Sequence, residues 1–183
     1  LGQSGQSGLS CWSDDHWREE FRRTTQRDDC EGPVVQPNQA VHVAVVRTTL
    51  GGFAGAAELK LFVNGQLFDT TTRSDGKWAK SPERLRFGAQ GTQPYNDDEL
   101  VEHFTGLVDE IRVSSNVRYT ESFTPPTRSH RFTPDEHTLA LYHCDEAEGD
   151  KLVDSSGNER HGKILGPKLV RVATEPVDGG NAD

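Results

Sequence analysis

Apolar residues in this chain come in short blocks separated by turn-forming residues, and most blocks alternate or run solid instead of repeating at helical spacing. VHVAVVRT (41–48) is β-branched and almost uniformly apolar, which predicts a buried strand. In LKLFVNGQLFDT (59–70), Leu59, Leu61 and Val63 alternate with Lys60, Phe62 and Asn64. Asn64-Gly65 is the favoured two-residue type I′ turn, so this run predicts an antiparallel hairpin with Leu61 and Leu67 in one sheet. LRFGAQG (85–91) reads as a short strand stopped by glycine, and TQPYNDDELVEH (92–103) as a polar, acidic loop. HTLALYHC (137–144) is a near-continuous apolar strand. GKILGPKLVRV (162–172) gives one or two short strands broken at Gly166-Pro167.

The two ends carry less pattern. Residues 1–33 read as an irregular segment that opens with the linker-like LGQSGQSG. Trp12, His16 and Glu20 share a helical face, so the stretch from Ser13 reads either as a short helix or as an aromatic-bearing surface loop. Residues 173–183 read as a tail. Recurring strands with turns between them and no long helix predict an all-β, antiparallel β-sandwich over residues 34–172.

The run FTGLVDEIRVSSNVRYTESFTPP (104–126) carries the most chemistry. On strand spacing Leu107, Asp109, Ile111 and Val113 share one face, and Val108, Glu110 and Arg112 share the other. Asp109 is therefore expected to be buried, with a cation, an Arg or backbone N–H groups as its partner. The run resembles the closing strand of laminin-G-like domains of the concanavalin A-like lectin/glucanase superfamily, bacterial type, which reads G-x-[IV]-D-[ED]-[VI]-R-[IV]. The RYT-x-x-FTPP that follows is similar to the tail of many bacterial members. LYHCDEAEGDKLVDSSGNERHG (141–162) resembles the segment that opens such a domain, although here it follows the closing strand. Cys144, Ala147 and Glu159 depart from that pattern. The resemblance spans roughly residues 40–172 and implies a jelly-roll sandwich. The inverted order leaves two readings, a circularly arranged sandwich or a fragment truncated inside a second repeat.

Composition narrows the function. The 183 residues suit one domain with a real core. A net charge of -9 and a pI near 5.2 argue against nucleic-acid binding, since only a short Arg cluster around Arg18 to Arg27 is basic. No apolar run is long enough to span a membrane. No signal peptide is visible and the chain does not begin with Met, so it reads as a fragment or a processed product. Cys11 and Cys30 fall in one segment and are candidates for a disulfide in an oxidising compartment, against the alternative of three free thiols. Cys144, inside an apolar strand, is expected to stay free.

Asp154-Ser155-Ser156-Gly157-Asn158 is a compact, oxygen-rich turn. It reads either as a Ca²⁺ site, with Asp154 and Asn158 as ligands and Asp109 or Asp145 completing the shell, or as a turn that caps its own backbone. Trp78 and Tyr95 are loop aromatics of the kind on which sugar faces stack, or else plugs at a sandwich edge. A glucanase of this fold would carry paired acids of the E-x-D-x-x-E type, and none is present. Glu110 reads as salt-bridged. The expected role is a non-catalytic recognition or adhesion module of a larger protein, extracellular or at the cell surface, binding a glycan or a protein surface. A degenerate glycoside hydrolase and an inert spacer are the alternatives.

Overall fold

The computed structural model describes residues 8–13, 16–23, 26–34, 39–50, 56–73, 85–91, 100–101, 104–127, 129–146 and 148–166. Every regular element among them is a β-strand. The chain forms two compact units, one of Leu1–Gly106 with Asn116–His130, the other of Leu107–Ser115 with Arg131–Asp183.

The first unit holds two three-stranded antiparallel sheets. β1 (Gly8–Ser13), β2 (His16–Arg23) and β3 (Gln26–Val34) form one, in sequence order. β4 (Val43–Thr49), β5 (Ala57–Val63) and β6 (Gln66–Arg73) form the other. β3 lies against β5 and β6. The short strands β7 (Gln90–Gly91) and β8 (Leu100–Val101) pair as a further two-stranded sheet. The irregular segment expected over residues 1–33, with its optional helix, is replaced by strands β1 to β3. HWREEFRR has no alternation of apolar and polar positions, so its strand character was hidden from the pattern.

The β5–β6 hairpin forms as its turn chemistry predicts. Asn64 and Gly65 both take positive φ, 49° and 76°, as a type I′ turn requires. Leu61 and Leu67 stand on neighbouring strands of one sheet. Val43 pairs with Val63 and Val45 with Leu61, so these residues and Leu59 share one face. Leu59, Leu61 and Val63 form its buried cluster, with Val41, Val43 and Val45 packed against them.

Phe62 points to the opposite face and is also fully buried. Its cover is the segment that follows the second unit's first strand. The Tyr119 and Phe123 rings stack with centroids 3.6 Å apart, and Phe62 meets the Phe123 ring at 5.7 Å. His42 adds an edge-on contact to Phe123 at 5.6 Å. Hydrogen bonds fix this strap to the hairpin. Phe123 N donates to Gly65 O at 2.8 Å, Leu67 N to Ser122 Oγ at 2.9 Å, and Lys60 Nζ to Thr120 O at 3.2 Å. A Cβ on Gly65 would stand 2.0 Å from Phe123 O, so only glycine fits beneath the strap.

In the second unit, β9 (Ile111–Ser114) pairs antiparallel with β10 (Thr138–Tyr142), and β11 (Lys151–Leu152) with β12 (Gly162–Lys163). Ala140 and Leu141 are buried. β9 begins at Ile111, so residues 107–110 lie before the strand and the period-two argument does not reach them. Leu107 and Val108 are accordingly exposed.

Candidate functional site

Two polar constellations stand in the second unit. The first gathers around Arg131. Its Nη1 donates to Glu110 Oε1 at 2.6 Å, to Asp109 Oδ1 at 3.0 Å and to the carbonyl of His143 at 3.1 Å. Asp145 Oδ2 lies 3.9 Å from Nη2. Glu110 Oε1 also meets His143 Nδ1 at 2.8 Å, and Oε2 accepts from Phe132 N at 3.4 Å. Arg112 lies over the Phe132 ring, 4.1 Å from its centroid. Burial alone would raise the Glu110 carboxyl; the bonds from Arg131, His143 and Phe132 outweigh it and hold the group below the usual carboxylate range. A carboxylate only accepts, so the facing Nδ1 of His143 carries the hydrogen.

This arrangement corrects the expectation for Asp109. Its side chain is 51% exposed, whereas that of Glu110 is 11% exposed. The Arg partner is present, but the buried carboxylate is the neighbouring one. Arg131 and His143 were not singled out in the sequence. Arg131 ends the short basic run RSHR (128–131), and no spacing links it or His143 to Glu110.

The second constellation is the turn at 154–160. Asp154 is buried. Its Oδ1 accepts from Leu141 N and Ser156 N, both at 2.9 Å. Its Oδ2 accepts from Ser156 Oγ and Arg160 N, also both at 2.9 Å. Asp154 N in turn donates to His161 Nδ1 at 3.1 Å. Desolvation pushes the carboxyl up, but these donors prevail and bring it down to about 2. Asn158 turns its amide nitrogen to the carbonyls of Thr138 and Leu139, at 2.9 and 3.2 Å. Gly157 takes φ 85° at the bend.

The four residues considered for Ca²⁺ are not brought together around one point. Asp154 already accepts four donors, and Asp109 and Asp145 face Arg131. Hard cations need several free oxygens converging on one position, and this donor set does not fit one. Among the described residues no three His, Cys, Asp or Glu side chains gather as a metal cluster.

The other candidates separate. Trp78 and Tyr95 lie outside the described residues. Cys11 pairs in register with Glu19 of β2, and Cys30 pairs with the same Glu19 from the other side. Two strand spacings put their Cα atoms roughly 9–10 Å apart, beyond the roughly 7 Å a disulfide spans. The expected bridge therefore does not match this register. Cys144 is a free thiol just past β10. Burial, reinforced by the carboxylates of Glu146, Asp109, Glu110 and Asp145, pushes it up to about 12, so it is no nucleophile at neutral pH.

Among the described residues no helix is long and apolar enough to cross a membrane. No curated protein and no solved structure matches the chain. One family model, Laminin_G_3, described as Concanavalin A-like lectin/glucanases superfamily, matches residues 1–122. The match takes in β1 to β3, which the sequence pattern had left aside, and ends within the strap, before the DSSGN turn. With most of its length inside that match, and with an all-strand, antiparallel architecture, the chain belongs to the laminin-G-like branch of the concanavalin A-like lectin/glucanases superfamily.

Proposed function

We propose that this chain is a non-catalytic recognition module, extracellular or at the cell surface, that binds a glycan or a protein surface on behalf of a larger protein. Membership of a family of carbohydrate- and protein-binding modules supports the general class. The observation that carries the non-catalytic part is the state of Glu110. A glycosidase acid must hold a proton near neutral pH, which requires a raised carboxyl. Glu110 is lowered instead, and three groups occupy its oxygens. Asp109, the adjacent carboxylate, binds the same guanidinium nitrogen and so forms no free acid–nucleophile pair with it.

The reading is tested by presenting the protein to an immobilised panel of glycans and extracellular-matrix proteins. Saturable binding to at least one class, inhibited by the same compound in solution, is the expected result. A flat response across the panel would favour the inert spacer.

A further inference from the structure

Asn64 is the one asparagine of the chain that a glycine follows. In an Asn-Gly pair the backbone nitrogen of the glycine can attack the asparagine amide, because no Cβ obstructs the approach. The step needs no enzyme and no cofactor, only water. Gly65 N bonds to Asn64 Cγ and gives up its proton. The side-chain NH₂ takes that proton and leaves as ammonia, and a cyclic imide remains. Water then breaks one of the imide C–N bonds. Cleavage at Cγ restores the ordinary backbone with an aspartate. Cleavage at the backbone carbonyl carbon leaves an isoaspartate, whose main chain runs through the former side-chain methylene.

The fold opposes this step at both reacting groups. Asn64 N donates to His42 O at 2.8 Å, and Asn64 Oδ1 accepts from His42 N at 3.0 Å, so His42 holds both the backbone and the amide of Asn64. Asn64 is exposed and water reaches it, but Gly65 is buried. The Gly65 carbonyl accepts Phe123 N at 2.8 Å, and Phe123 and Pro125 of the strap lie directly over the glycine. Ring closure has to bring Gly65 N onto Asn64 Cγ by rotation about the Cα–Cβ and Cα–C bonds of Asn64. His42 restrains the first rotation, and the strap, through Gly65, restrains the second.

We propose that Asn64-Gly65 is a self-modification site gated by the strap. While the strap is closed Asn64 persists, and each opening of the Tyr119–Phe123 segment frees Gly65 to form the imide. The two products then differ. Aspartate keeps the turn and an oxygen to accept His42 N. Isoaspartate sets an additional main-chain carbon into a turn whose geometry two residues define, so Phe123 N no longer meets Gly65 O and the strap stays open in that fraction. The inference does not depend on the recognition function.

The test incubates wild type, Phe123→Ala and urea-unfolded wild type side by side at mildly alkaline pH and counts aspartate and isoaspartate at residue 64 by peptide mapping. Phe123→Ala removes the ring that stacks on Tyr119 and meets Phe62. The expected rate is lowest in wild type, about tenfold higher in Phe123→Ala, and highest in the unfolded chain. A wild-type rate equal to that of the unfolded chain overturns the proposal. So does a Phe123→Ala rate no higher than that of wild type in a variant that keeps its circular dichroism. If Phe123→Ala loses its strand signal, Ser122→Ala, which removes the acceptor for Leu67 N, takes its place. Tryptic cutting after Arg118, at the start of the strap, then compares the isoaspartyl fraction with Asn64→Asp. Faster cutting of the isoaspartyl fraction is expected, and equal cutting overturns the proposal as well.

Discussion

The Asp154 carboxylate accepts the backbone N–H of Leu141 at 2.9 Å and so ties the outer edge of β10 to the turn that follows β11. Three further donors complete its shell. A carboxyl brought down to about 2 in the folded chain contributes stability above the unfolded value near 4. That contribution, about 2 kcal/mol, is lost as pH falls from about 4 toward 2. Asp154→Asn removes the charge and sets an amide against N–H donors, so it should cost roughly 2–4 kcal/mol at neutral pH and flatten the acid limb. Denaturant melts of both proteins from pH 2 to pH 7 measure this. Parallel curves would show that the carboxylate is not what stabilises the turn.

Gly65→Ala is expected to be among the costliest single-methyl additions in the first unit. The residue needs positive φ, and its new Cβ would meet Phe123 O and Pro125 Cδ rather than a yielding side-chain tip. A loss of roughly 3 kcal/mol or more follows. Thermal unfolding checks it, and a drop of only a degree or so would mean that the strap does not close over the hairpin.

The β1–β2–β3 order predicts three free thiols. Cys11 and Cys30 are the register partners of Glu19 on the two strands flanking β2, and Cys144 is free. Thiol titration under denaturing, non-reducing conditions should count all three. A single free thiol, with a Cys11–Cys30 peptide pair in a digest, would require a different strand order.

Calcium is expected to leave the melting temperature of wild type and Asp154→Ala shifted by the same small amount, through the acidic net charge of -9 alone. A larger rise in wild type, saturating with concentration, would show a site at the turn and a carboxylate that exchanges its N–H donors for the ion.

Where local chemistry decides the structure, the residues disclosed it. Asn64-Gly65 has one favoured geometry, and the hairpin follows from it. What escaped depends on neighbours remote in sequence. Burial of Glu110 in place of Asp109 follows from where β9 begins and from Arg131 and His143, none of which leaves a periodic trace. The strands β2 and β3 are rich in charge and β1 is short and small-residued, so none of the three shows a clean apolar alternation. The oxygen-rich DSSGN turn was compatible with a cation or with its own backbone. Only the positions of Leu141 N, Ser156 N, Arg160 N and Ser156 Oγ show that backbone and side-chain donors have filled Asp154. The Cys11–Cys30 spacing fitted a bridge until the pairing register placed a whole strand between the two.

The central claim is recognition without turnover. It is tested most directly by incubating the protein with β-glucans and following the release of reducing ends, wild type beside Glu110→Gln. Because Glu110 is held charged by Arg131 and His143, the account predicts no release above buffer from either protein. Release by wild type that disappears in Glu110→Gln would contradict it.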